Sequence, residues 1–139
     1  MPIEPDDVVL NKAAIIERSL RRVREEYAAD PELRNFTHID AMTLNIERAC
    51  QAAIDLALHV VSVRHLGMPQ SSGDAFKLLN RAGLLSVKIS AAMSSMTGFR
   101  NIAVHEYQDL SLEVLHSIAE AGWLDLVAFC REMGVEIRI

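Results

Sequence analysis

Apolar residues recur at steps of three and four along nearly all of this 139-residue chain, and that spacing constrains the fold more than any other feature. Val9, Ala13, Ile16, Leu20, Val23 and Tyr27 share one stripe of a first helix. Ile39, Met42, Ile46, Ala49, Ala53, Leu56, Val60 and Val63 continue the alternation through a second, predicted from about Thr37 to His65. Ala49 and Ala53 leave room there for a neighbouring backbone to come close. A short third helix runs from Ala75 to Arg81, with Phe76 and Leu79 inward. A fourth, after Gly83, carries Ile89, Met93, Met96, Arg100, Ala103 and Tyr107 on one stripe. A fifth carries Leu112, Leu115, Ala119, Gly122, Leu126, Phe129 and Met133. Asp6 or Asp7 can cap the first helix, and the run Ser71-Ser72-Gly73-Asp74 the third. The tail from Val135 to Ile139 alternates like a strand but has no evident partner. The expectation is a single all-α domain over residues 1–139, an up-and-down bundle of four long helices plus a short one.

Composition agrees. Half the residues are hydrophobic but only 5% are aromatic, which favours helix on helix over a β-sandwich. The net charge of −5 argues against a surface that holds nucleic acid everywhere, while leaving room for a local basic cleft. Arg18, Arg21, Arg22 and Arg24 stand beside Glu17, Glu25 and Glu26; a solvated face with helical ion pairs is the simpler reading, and a phosphate-facing role stays open. Cys50 and Cys130 sit in apolar helical contexts, as buried reduced thiols do, which points to a cytoplasmic setting. The acidic start lacks the apolar run of a secretory signal. Asp55, His59 and Arg64 interrupt the longest apolar stretch, so no membrane span is expected.

The fourth stripe changes character at Arg100. An arginine, asparagine, histidine and tyrosine arrive within eight residues: Arg100-Asn101-Ile102-Ala103-Val104-His105-Glu106-Tyr107. Arg100 and Tyr107, seven apart, point to nearly the same side of a helix. His105 is five residues from Arg100, about 140° away on a regular helix. The helix must therefore distort or end near His105, or a second subunit must complete the pair. The simplest reading pairs Arg100 with a carboxylate and leaves His105 as a helix-end histidine. A guanidinium and an imidazole also suffice for cleaving RNA without a metal. A base takes the ribose 2′-hydroxyl proton while a cation stabilises the phosphorane.

The octapeptide resembles the R-x4-H-x-Y motif of the HepT-like toxins, a branch of the HEPN superfamily. The likeness extends, in order, over Asn45 to His59, Gly67-Met68-Pro69 with Phe76 and Leu79, and Met96 to Asn101, covering roughly residues 8 to 133. It implies a HEPN-like, homodimeric helical bundle whose two motifs line one interface cleft. It further implies a metal-independent endoribonuclease, the toxin of a two-gene toxin–antitoxin module. The partner would be an MntA-like nucleotidyltransferase antitoxin that silences it by attaching AMP to the motif tyrosine. Arg100 would hold the scissile phosphate, His105 act as general base or acid, and Tyr107 accept AMP, with Asn101 and Asp55 in support. RNA would be the substrate, with no cofactor, no metal and no membrane.

Asp55 and His59 lie one turn apart on the second helix, and a hydrogen-bonded pair fixing bundle packing is as good a reading as a place near the cleft. His38, His65 and His116 have no partners at metal-ligand spacing. The rival from another class is a catalytically inactive HEPN module that binds a nucleotide or partner through the same Arg and His. A purely structural bundle would leave Arg100 on a core stripe unexplained.

Overall fold

A computed structural model describes residues 3–105 and 110–139, all helix, turn and loop with no strand among them. In chain order the helices are α1 (Asp7–Ala29), α2 (Phe36–Val63), α3 (Asp74–Arg81), α4 (Val87–His105), α5 (Leu112–Ser117) and α6 (Trp123–Glu132). A single π-helical segment, Ile118–Gly122, joins α5 to α6. The predicted fifth helix is thus one rod interrupted by a π-turn, which apolar spacing does not signal.

α1 and α2 form an antiparallel hairpin, the largest helix–helix contact among the described residues. Its cross-pairs step down one helix as they step up the other. Asp6 meets His59 at 2.6 Å, Lys12 meets Asp55 at 3.6 Å, and Glu26 bonds His38. Asp55 and His59 are therefore not a pair. Each bonds to the α1 side, and Asp55 also accepts from Gln51 one turn before it on α2.

Asp6 caps α1 by accepting from the Val9 N–H at 3.0 Å. The His59 hydrogen bond, with that backbone bond behind it, holds the Asp6 carboxyl below its ordinary range. Asn35 caps α2 through Thr37. Between them Asp30 accepts from the Arg34 and Asn35 N–H groups at 3.0 and 2.8 Å, which lowers its pKa and ties the connection. Gly73 occupies the cap position of α3 and no side chain bonds there. The expected serine caps are absent, and Asp74 instead accepts from the Gln70 N–H.

The core follows the stripes. Val9, Ala13, Ile16, Leu20 and Val23 of α1 are buried, as are Ile39, Met42, Ile46, Ala49, Ala53, Leu56 and Val60 of α2. Val63 and Leu112, at the stripe ends, are exposed. Phe76 of α3 and Phe129 of α6, both fully buried, pack edge to face with ring centroids 5.5 Å apart and planes at 81°.

The C-terminal tail is no strand. It runs beside α1, where the Arg138 N–H donates to Glu17 at 2.9 Å and Arg21 donates back to the Arg138 carbonyl at 3.1 Å. Gly134, at φ +92°, turns the chain into it, and a Cβ there would collide with the Ile3 carbonyl oxygen. Only glycine suits that position.

Among the described residues, no helix is long and apolar enough to cross a membrane. Removing the Phe129 ring should leave a large cavity between α3 and α6. Phe129→Ala is expected to cost about 3–5 kcal/mol in urea unfolding, with helical content at low denaturant unchanged. A loss below about 1 kcal/mol would mean that the Phe76–Phe129 contact does not hold these helices.

Candidate nuclease site

α4 carries the site. Ile89, Met93, Met96 and Ala103 of its inward stripe are buried, and Arg100 occupies the same stripe one turn before Ala103. The guanidinium is half-buried and makes no ion pair with any described residue; Glu106 and Asp109 lie outside the described residues. Its Nη1 donates to Asn101 Oδ1 at 2.9 Å. Its Nε–H is buried and meets no acceptor among the described residues. An unmet buried donor costs about 1–3 kcal/mol, and charged donors more. Among the described residues no carboxylate neutralises the arginine, which suits a group that receives an anion.

The floor beneath it is α2. The Cys50 thiol is wholly buried there, and burial pushes its pKa up to about 12, although the positive charge of Arg100 works in the opposite direction. Cys130, on α6, is likewise pushed up to about 12 by burial. Both cysteines are free. Gln51, next to Cys50, donates its amide N–H to Asp55 at 2.9 Å, while its own oxygen is buried with no donor among the described residues.

His105 is the last residue of α4 and is exposed. The helix runs unbroken from Val87 to His105, so no distortion closes the roughly 140° between the two motif residues. Within one chain, Arg100 is turned to the α2 seam and His105 to solvent. The structure therefore brings Arg100 and Asn101 together and leaves His105 apart. Asp55 lies against Lys12 of α1. Tyr107 lies outside the described residues.

Sequence reasoning missed the cluster that seats α5, the first helix after the motif. Tyr27 of α1 shares a hydrogen bond of 3.0 Å with His116, whose ring meets it edge-on. Arg24 donates to the Ala119 carbonyl at 2.7 Å and stacks 5.0 Å from the Trp123 ring. Ala119 belongs to the π-turn, where the widened helix hydrogen-bonding pattern gives a side chain access to a carbonyl. The only signal was His116, a titratable residue in the last turn of a short helix. Its partner is 89 residues away in sequence. Among the described residues, no group of three or more His, Cys, Asp or Glu converges as a metal site would.

With this geometry in hand, comparison with known proteins is informative. The Ribonuclease HepT-like family model matches residues 13–133. The chain belongs to the ribonuclease HepT-like family. An mRNA nuclease HepT of Shewanella oneidensis is 38% identical over 125 residues, spanning 89% of this chain and 94% of that protein. A tRNA nuclease HepT of Aphanizomenon flos-aquae is 27% identical over 110 residues, spanning 78% and 74%. Among solved structures, a tri-AMPylated S. oneidensis HEPN toxin in complex with an MNT antitoxin superposes with a TM-score of 0.87 at 36% identity, over 93% of this chain and 98% of that one. A toxin–antitoxin structure with AMP-PNP also gives 0.87, at 35% identity over 92% and 98%. The all-helical fold is thus HEPN-like, and the HepT-like chain carries its Arg100 and His105 within the matched region.

The cysteine burial has a chemical consequence. With both pKa values near 12, only about one thiol in ten thousand is ionised at pH 8. An aromatic disulfide reagent should label neither cysteine in the native protein at that pH, and both after unfolding in guanidinium. Labelling of either within minutes in the folded state would contradict the packing described.

Proposed function

We propose that this protein is the toxin ribonuclease of a HepT/MntA-type toxin–antitoxin module. It is a metal-independent endoribonuclease whose Arg100 and His105 act across a homodimer cleft. The observation that carries the reading is the divergence of these two residues on one straight helix. A second up-and-down bundle, related by two-fold symmetry, would bring the His105 of each chain toward the Arg100 of the other, as an isologous interface requires. The family membership and the nuclease names of its relatives supply the substrate class, RNA.

The mechanism follows from the residue types. Neutral His105 takes the proton of a ribose 2′-hydroxyl, and the oxygen attacks the adjacent phosphorus. Arg100, which pairs with no described carboxylate, stabilises the charge that builds on the phosphorane oxygens, and Asn101 keeps its guanidinium oriented. The P–O5′ bond then breaks, leaving a 2′,3′-cyclic phosphate, and the departing oxygen takes a proton from an imidazolium or from water.

The transferase of the solved complexes is the expected partner, and Tyr107 the expected AMP acceptor. Each AMP added beside Arg100 supplies a competing phosphate and a base that fills the cleft. Asp55, committed to Lys12, would support the site only through the α1–α2 hairpin. A cytoplasmic setting is the one expected for such a pair, and it agrees with the lack of a membrane-crossing helix among the described residues.

Purified protein confirmed by mass spectrometry to carry no AMP should cleave cellular RNA in EDTA. His105→Ala should lower the rate about 10²–10⁴-fold and Arg100→Ala about 10²–10³-fold. No cleavage by the bare wild type would move the reading to a nucleotide- or partner-binding module. Silencing is tested separately. Tyr107→Phe should remain an active nuclease after incubation with the transferase and ATP, whereas the wild type loses its activity. A Tyr107→Phe protein that is still modified and silenced overturns the assignment of the acceptor.

A further inference from the structure

The arginines of α1 that the sequence left without a role meet a counterpart on α2. A cavity of about 550 Å³ opens between the two helices, lined among others by Arg18, Ser19 and Arg22 of α1 and by Leu44, Asn45 and Arg48 of α2. Three arginines line one space, and among the described residues no acidic one does. Arg22 is engaged at the rim by Glu25 and Glu26, at 2.7 and 2.5 Å. Arg18 and Arg48 form no ion pair or hydrogen bond with any described residue, and both are exposed. Elsewhere in this chain of net charge −5, Lys12, Arg21, Arg34 and Arg131 each have a carboxylate. Like charges gathered without counter-ions repel, so the arrangement is at its most favourable with an anion between them.

The position adds to the chemistry. Arg48 follows Glu47 directly and precedes Cys50 by two residues, so the cavity and the Arg100 seam flank the same turns of α2 from opposite sides. A helix with its side chains is about 10–12 Å across. A single-stranded chain crossing α2 would span that width in a few nucleotides. Leu44, 43% exposed, lies at the cavity edge where a base or ribose would rest.

We propose that this groove is a second phosphate subsite, in which Arg18 and Arg48 grip the backbone of the RNA a few nucleotides from the bond that Arg100 and His105 address. The subsite rests on the reading of RNA as substrate, yet its test does not depend on cleavage. In the non-cleaving His105→Ala protein, binding of a fluorescent single-stranded RNA of about 20 nucleotides is measured by anisotropy from about 50 to 300 mM salt. Adding Arg18→Gln and Arg48→Gln should weaken binding about tenfold at roughly 100 mM salt. The slope of log K against log salt should fall by about 0.7 for each phosphate no longer neutralised. The double lysine version, Arg18→Lys with Arg48→Lys, should keep the slope, because the charges remain. Circular dichroism confirms that each variant is folded.

Unchanged affinity and slope in the glutamine variant overturn the subsite, as does a parent protein that binds no RNA. Loss of transferase association with RNA binding intact also overturns it, and assigns the groove to the protein partner. RNA binding that weakens as expected, in a protein whose wild type cleaves nothing, keeps the subsite and removes the nuclease reading.

Discussion

The packing of α1 against α2 is the contact on which the remaining architecture depends. It is long, antiparallel and built from aliphatic stripes that need no polar partner inside. Its polar cross-pairs, Asp6 with His59, Lys12 with Asp55 and Glu26 with His38, lie along the flanks and fix register rather than supply the driving force. Glu26 shows how such a flank behaves. The His38 hydrogen bond, more than the Arg22 pair, draws its carboxyl below the ordinary value, while burial resists. With register fixed, α2 presents one side to α4 and the other to the basic groove. Both proposed contacts with RNA thus inherit their positions from a hairpin whose own packing touches no substrate.

α4 then meets a constraint that no single bundle can satisfy. Its inward stripe is apolar until Arg100, and the arginine stays on that stripe because Met96 and Ala103 bury the turns on either side. A straight helix cannot also turn His105 the same way. Distorting it would expose Phe99 or Ala103, which are both buried. Completing the cleft with a second chain leaves the core intact. Dimerisation in the proposed function is thus the solution that disturbs the fold least.

Most of this was legible in the sequence, for an identifiable reason. Helices, their order and their buried faces follow from 3.6-residue periodicity, a local property, and the stripes through Ile16, Ile46, Met93 and Leu126 are buried as expected. The motif residues were also legible, because Arg100 breaks an apolar stripe. What escaped were features fixed by partners far off in sequence. Asp55 and His59, one turn apart, suggested each other, whereas the hairpin gives both to the α1 side. The Tyr27–His116 bond and the Arg24 hold on the π-turn carbonyl join elements 89 and 95 residues apart. The tail alternates like a strand because one side of it lies on α1, where Ile137 is buried, and no hydrogen-bonding edge is available to make it one.

The apparent conflict between an acidic protein and an anionic substrate resolves at the scale of the Debye length, about 10 Å at 0.1 M salt. Beyond it the net charge of −5 is largely screened, so what a phosphate meets is local. Locally many carboxylates are occupied: Asp55 with Lys12, Glu17 with Arg21, Glu25 and Glu26 with Arg22, Glu32 with Arg34, Glu136 with Arg131. Among the cations left over, Arg18 and Arg48 line one groove, and Arg100 stands across α2 with no carboxylate among the described residues. Arg18 and Arg48 on one flank of α2, with Arg100 on the other, make this helix locally basic where a substrate would lie. That pattern favours recognition of a short stretch of backbone over adherence to any nucleic acid in reach.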